Sequence, residues 1–117
     1  MNSDPNCIFC KIVKAEIPSD KVYEDDHLLA FRDINPAAPT HILIIPKVHI
    51  PDNNAFTAED DHLAGRMFKL VRELAQQEGI AESGYRLIMN TGPHGGQEVF
   101  HAHLHLIGGQ RMKYPMG

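Results

Sequence analysis

The sequence predicts one α+β domain over residues 1–117, with about five mostly antiparallel strands, one long helix and one short one. Three observations lead to that class. Short apolar runs of strand length lie between turn signals rich in proline, glycine and aspartate. One apolar stripe at helical spacing, Leu63, Met67, Leu70, Val71 and Leu74, marks a single long helix. No repeat, low-complexity tract or linker divides the 117 residues, and 43% hydrophobic content suffices for one small core.

Taken in order, residues 7–14 read as the short helix, with Ile8, Phe9, Ile12 and Val13 apolar and Pro18 closing the segment. A start near Pro5 puts Cys7 and Cys10 one turn apart on the same side. Lys21-Val22-Tyr23-Glu24 and Leu28-Leu29-Ala30-Phe31-Arg32-Asp33 are two strands around the turn Asp25-Asp26-His27. Asn35-Pro36-Ala37-Ala38-Pro39 is a stiff connection, because each proline fixes its own φ and restricts the residue before it. The continuous run His41-Ile42-Leu43-Ile44-Ile45-Pro46 fits a central strand covered on both faces, followed by a loop from Ile50 to Phe56. Thr57-Ala58-Glu59-Asp60 resembles the long helix's start, with Thr57 as cap, and Gly79 marks its end. Tyr85-Arg86-Leu87-Ile88-Met89-Asn90 is a further strand, and Thr91-Gly92-Pro93-His94-Gly95-Gly96 leads into the last one.

That last strand carries the chemistry. In Phe100-His101-Ala102-His103-Leu104-His105-Leu106-Ile107, three histidines recur at the strand period of two. A strand puts the three imidazoles on one face and Ala102, Leu104 and Leu106 on the other. Buried imidazoles lose solvation and disfavour each other's protonation, so three in a row are rarely selected for stability. The pattern leaves open metal ligation, nucleophilic catalysis and binding of an anion. An all-histidine zinc site from His101, His103 and His105 fits the spacing. The surroundings favour an anion: the glycine-rich loop can turn N–H groups toward a phosphate, and Asn90 and Gln97 add neutral donors. No Gly-Lys-Ser/Thr follows the loop, which disfavours an ATP-driven phosphoryl transfer. A neutral imidazole is a competent nucleophile toward phosphorus. The middle residue, His103, can be flanked on both sides, with His105 its oriented neighbour and His101 nearer the leaving group, although strand geometry does not identify the nucleophile by itself. His94 and Lys47 read as surface residues.

Composition sets outer limits. A formal net charge of -4 argues against a nucleic-acid face or an electrostatic membrane anchor. No apolar run is long enough to span a bilayer, and Met1-Asn2-Ser3-Asp4-Pro5 lacks a signal-peptide pattern, so a cytoplasmic location is expected. Both cysteines stand in Cys7-Ile8-Phe9-Cys10, where a metal or redox role is more natural than a structural disulfide.

His101-Ala102-His103-Leu104-His105-Leu106-Ile107 resembles the signature of the histidine triad (HIT) family. The likeness extends to Cys7-Ile8-Phe9-Cys10-Lys11-Ile12, to the run from Phe31 to His41, to Ile45-Pro46-Lys47-Val48-His49 and to Gly95-Gly96-Gln97-Glu98-Val99, and it is to the family's Hint branch in a bacterial-type version. The resemblance implies a five-stranded antiparallel sheet that continues across a homodimer, with the long helices packed at its interface. It implies hydrolysis of purine nucleoside 5′-phosphoramidates through a nucleotidyl-histidine formed on His103. It places His105 and His41 in the relay, Asp33 on the ribose hydroxyls with Ile34 lining the base, and Asn90, Gln97 and Val99 around the phosphate. Glu98 stands where several members have a serine that helps protonate the leaving amine. Catalysis then requires no cofactor, while a structural zinc on Cys7, Cys10, His49 and His101 matches some bacterial members, two thiolates and two imidazoles being a sound tetrahedral set. Tyr114 stands in a tail that the family brings near the partner's active site. Two other activities fit the same motif: dinucleoside polyphosphate hydrolysis, and nucleotide-dependent regulation with incidental catalysis.

Overall fold

A computed structural model of the chain describes residues 3–115. Met1, Asn2, Met116 and Gly117 lie outside the described residues. In order, the elements are α1 (Ile8–Val13), β1 (Lys21–Glu24), β2 (Leu28–Arg32), β3 (Thr40–Pro46), a single 3-10 turn (Asn53–Ala55), α2 (Asp61–Gln77), β4 (Tyr85–Ile88) and β5 (Leu104–Gly108). The strands form one antiparallel sheet in the order β1-β2-β3-β5-β4. The expected α+β architecture, with its five strands and two helices, is what the chain adopts.

The strand period assigns side chains to two layers. Leu28 and Ala30 of β2, Ile42 and Ile44 of β3, and Leu104 and Leu106 of β5 face α2, where Met67, Leu70, Val71 and Leu74 pack on them. The alternate residues Leu29, Phe31, Leu43 and Ile45 face α1, meeting Cys7, Phe9, Cys10 and Ile12. Every residue of β3 is buried, as its unbroken apolar run demands. The α2 stripe is buried as expected. The helix closes where Gly79 takes φ +73, letting Ile80 N–H reach the Ala75 carbonyl at 2.9 Å. Among the described residues, no helix is long and apolar enough to cross a membrane.

Three boundaries differ from expectation by two residues or more. Thr57 does not cap α2: its N–H and hydroxyl both bond to Asp60 Oδ2 at 3.0 Å, closing a separate turn, and the helix begins at Asp61. β4 stops at Ile88 rather than Asn90. The third difference governs the chemistry. β5 begins at Leu104, so of the three histidines only His105 sits in a paired strand. Pro46 ends β3 and has no N–H to donate, so the ladder cannot continue past it. The Ala102 N–H turns to the Ile50 carbonyl instead, at 2.7 Å.

Candidate active site

The histidine run leaves the sheet on the α1 face, and its members separate into two centres. A cleft of about 300 Å³ is lined by His103 and His105 with Asp33, Asn90, Glu98 and Val99, and by Phe9, Leu43 and Gly96. The other centre is a knot of buried Cys7, Cys10 and His101 with half-buried His49.

Hydrogen bonds fix the imidazole tautomers in the cleft. His103 Nδ1 lies 2.7 Å from the His101 carbonyl oxygen, which can only accept, so Nδ1 carries a hydrogen and in the neutral ring the lone pair is on Nε2. The Ala37 N–H donates to His41 Nδ1 at 3.0 Å, so in the neutral ring the hydrogen sits on Nε2. That Nε2 is 2.9 Å from His105 Nδ1, which accepts, leaving the His105 hydrogen on Nε2. The neighbouring rings of His103 and His105 thus present opposite functions, one a lone pair and the other an N–H donor, with centroids 4.9 Å apart. Burial lowers the pKa of His41, with Asp33 partly opposing. His105 is pushed down to about 4 by burial and then by the charges of His103 and His41. Asp33 Oδ2 is 3.5 Å from His41 Nε2, while its Oδ1 accepts the Asn35 N–H at 2.8 Å.

The remaining expected residues divide. Asn90 lines the cleft, and Glu98 stands exposed at its rim. Gln97 is buried, but its amide is committed to the loop: Nε2 donates to the carbonyls of Pro51 and Val99, and Oε1 accepts the Gly92 N–H. Its side chain therefore braces the glycine-rich loop through the Gly92 N–H and the Pro51 and Val99 carbonyls. Ile34 is 91% exposed and is not in the cleft wall. His101 does not line the cleft either, since its ring turns into the knot. His94 is exposed, and Lys47 is half-buried and paired with Glu24 at 2.7 Å.

Sequence reasoning missed Phe9 and Leu43 as cleft walls. Leu43 is two residues from His41 on β3, so strand parity could have found it. Phe9 meets the His103 ring edge-on at 5.2 Å, and no local signal marks it except its place between the two cysteines.

The knot has the metrics of a metal centre. The ligand atoms of Cys7, Cys10, His49 and His101 lie within 4.8 Å of one another. His101 Nε2 donates to the Pro46 carbonyl at 2.7 Å, which leaves Nδ1 as the inward lone pair. That Nδ1 is 3.5 Å from Cys7 Sγ, 3.6 Å from Cys10 Sγ and 3.3 Å from His49 Nδ1, and His49 Nδ1 is 3.3 Å from Cys10 Sγ. A tetrahedron with Zn–S of about 2.3 Å and Zn–N of about 2.05 Å has N···N edges of about 3.3 Å and S···N edges of about 3.6 Å. The donor set and its spacing fit zinc. On the outer side, Asp4 Oδ2 stands 4.0 Å from His49 Nε2. The all-histidine alternative is excluded by direction, because His101 points away from the cleft that His103 and His105 share.

A more apolar cleft, of about 250 Å³, lies between α2 and the end of β4, lined by Phe68, Met67 and Met89. Its lining includes the Thr91 hydroxyl but no histidine, cysteine, carboxylate or other titratable side chain that could activate it.

Comparison with known proteins agrees with this geometry. The HIT domain model matches residues 14–112. The chain belongs to the HIT family, in its Hint branch. It is 61% identical over 103 residues to a purine nucleoside phosphoramidase of Escherichia coli (strain K12), covering 88% of this chain and 87% of that one. It is 52% identical over 116 residues to a 14 kDa zinc-binding protein of Zea mays, covering 97% of this chain and 90% of that protein. Among solved structures, a HIT family hydrolase from Legionella pneumophila Philadelphia 1 superposes with a TM-score of 0.92 at 53% identity, over 96% of this chain and 100% of that one.

Proposed function

We propose that this protein hydrolyses the P–N bond of purine nucleoside 5′-phosphoramidates through a nucleotidyl-histidine intermediate on His103. One observation carries the mechanism: the His101 carbonyl holds the hydrogen of His103 on Nδ1, so a lone pair on Nε2 belongs to the face that lines the cleft. The likeness to a purine nucleoside phosphoramidase of Escherichia coli supports the substrate class.

In the first step His103 Nε2 attacks the α-phosphorus and the P–N bond breaks. The departing nitrogen takes a proton from solvent at the open mouth, where Glu98 stands. The phosphorylated ring is then an imidazolium, and its Nδ1–H···O=C bond to His101 stabilises that charge. His105, with its hydrogen held on Nε2 by His41, donates to a phosphoryl oxygen as negative charge accumulates there. In the second step water attacks the same phosphorus, gives up a proton to solvent, and the bond from phosphorus to His103 Nε2 breaks. The imidazole leaves neutral, still carrying its Nδ1 hydrogen, and the nucleoside 5′-monophosphate is released. The Asp33 carboxylate accepts the ribose hydroxyls. Asn90 and the backbone from Gly96 to Val99 border the phosphate.

Incubation with adenosine 5′-phosphoramidate should release the amine and AMP, and rapid quenching should trap one nucleotidyl group per chain by intact mass. His103→Ala should lose the adduct and at least about 10³-fold in turnover while still binding AMP. An adduct that survives in His103→Ala sinks the mechanism.

The knot of Cys7, Cys10, His49 and His101 holds a structural zinc, which ties α1 to the segment before β5 and takes no part in bond making. The edge lengths above and the likeness to a zinc-binding protein of Zea mays support this. The working unit is a homodimer in which the sheet continues past β4. Supporting this, β4 is an edge strand of the sheet, and Phe68 of α2, 51% exposed, borders the apolar cleft beside it. Light scattering should show a dimer that Phe68→Glu converts to monomer.

A further inference from the structure

The two centres share one residue. The ring of His101 belongs to the sulfur–imidazole knot, and its carbonyl oxygen takes the Nδ1 hydrogen of His103. We infer that Cys7, Cys10 and His49 are positioning residues for the nucleophile: by gripping the His101 ring through the metal they hold, they set the carbonyl that keeps His103 in its reactive tautomer. The inference deepens the function proposed above and rests on its assignment of His103 as nucleophile.

Three features carry it. First, the sheet does not hold the His101 carbonyl. Pairing of β5 with β3 begins at Leu104, so His101 to His103 run outside the ladder. Second, the knot does hold His101. Its ring is fully buried, Nε2 is tied to the Pro46 carbonyl at 2.7 Å, and Nδ1 has Cys7, Cys10 and His49 ligand atoms between 3.3 and 3.6 Å away. Only two side-chain torsions separate that ring from its own backbone, so a shift of the ring is passed to the carbonyl. Third, α1 brings a second restraint. Phe9, between the two cysteines, meets the His101 ring at 5.9 Å and the His103 ring at 5.2 Å, both edge-on, and forms a wall of the cleft.

The chemical consequence is specific. A neutral imidazole has two tautomers, and the hydrogen bond made by one nitrogen selects which of them bears the lone pair. With the His101 carbonyl displaced, His103 also populates the form with hydrogen on Nε2, which cannot attack phosphorus. Substrate binding groups such as Asp33 and Asn90 are not part of the knot, so the loss falls on the chemical step rather than on affinity.

The test compares zinc-loaded wild type with Cys10→Ser and with the milder His49→Gln. It reads metal content by elemental mass spectrometry, the His103 ring nitrogens by ¹⁵N NMR at one neutral pH, and kcat and KM for adenosine 5′-phosphoramidate. The expected result is loss of zinc, a change of His103 from a single Nδ1–H tautomer to a mixture, and a fall in kcat of about tenfold or more with KM within about twofold, as for a misplaced reacting group. Variants that have lost the metal yet keep both the tautomer and kcat of wild type overturn the inference. So does unfolding of both variants on loss of the metal, because the knot would then hold the fold together rather than aim one ring. If loaded wild type neither turns over nor forms an adduct, the proposed function falls instead, while the NMR comparison still decides whether the knot sets the tautomer.

Discussion

Lowering the pH from 7 to 4 should cost this fold about 3 kcal/mol through His105 alone. Its pKa in the folded chain is pushed down from 6.5 to about 4, first by burial, then by the charges of His103 and His41, with Asp33 opposing. The hydrogen bonds demand the same sign. His105 Nδ1 accepts from His41 Nε2 at 2.9 Å, and His41 cannot reverse because the Ala37 N–H occupies its Nδ1. A proton added to His105 would place two hydrogens on one contact. Above pH 6.5 both folded and unfolded chains leave His105 neutral, and its full contribution is present. Between 6.5 and 4 the unfolded chain binds the proton and the folded chain does not, so stability falls with falling pH by about 1.4 kcal/mol per unit. Against a total of about 5–15 kcal/mol for a domain, the loss is measurable. Urea unfolding at pH 7 and pH 4, followed by circular dichroism, should show wild type losing about 3 kcal/mol more than His105→Gln. Any release of metal in acid is common to both proteins and cancels in the comparison. Equal losses, to within about 0.5 kcal/mol, would refute the account of His105 as a ring held neutral.

Two further outcomes follow from the same geometry. His41→Ala removes the donor that fixes the His105 tautomer, a bond of about 1–1.5 kcal/mol, so kcat for the phosphoramidate should fall about tenfold with KM little changed, as steady-state kinetics would show. Leu106→Ala, at a fully buried position beneath α2, should cost about 3–5 kcal/mol in denaturant unfolding, and a cost below about 1 kcal/mol would contradict the packing described.

What the sequence disclosed about this fold follows from periodicity. The α2 stripe and the unbroken run of β3 each predict a burial pattern, and both are realised. The same parity puts Leu104 and Leu106 under α2 and His105 on the opposite face. Periodicity failed where pairing, not pattern, decides. The spacing of two among the histidines implies one continuous strand, but a strand needs pairing, and pairing with β3 stops at Ile44–Leu104, two residues short of Pro46, which has no N–H to offer. Thr57 was a reasonable cap by residue type, yet Asp60 offered its hydroxyl and N–H a closer acceptor. Gln97 shows a third limit. An amide beside a glycine-rich loop reads as a phosphate donor, and only the folded loop shows its donors and acceptor already taken by Pro51, Val99 and Gly92. The metal donors come from three separate places along the chain, the Cys7–Cys10 pair, His49 and His101, and their grouping was legible only through resemblance to a family.

The early end of the ladder accounts for how one short motif serves two centres. In a regular strand His101, His103 and His105 would share a face and an environment, and three close imidazoles would compete for the same protons. Here His105 stays in the strand and takes its tautomer from His41 on β3, its neighbour in the sheet. His103, one step outside the ladder, has its N–H directed to a main-chain carbonyl rather than to another imidazole. His101, a step further out, is free to turn its ring away into the knot while leaving that carbonyl behind for His103. Each ring thus receives a different hydrogen-bond partner, and that difference separates a donor, a nucleophile and a ligand. Pro46, with no N–H to extend the ladder, contributes through its carbonyl instead, which anchors His101 Nε2 at 2.7 Å.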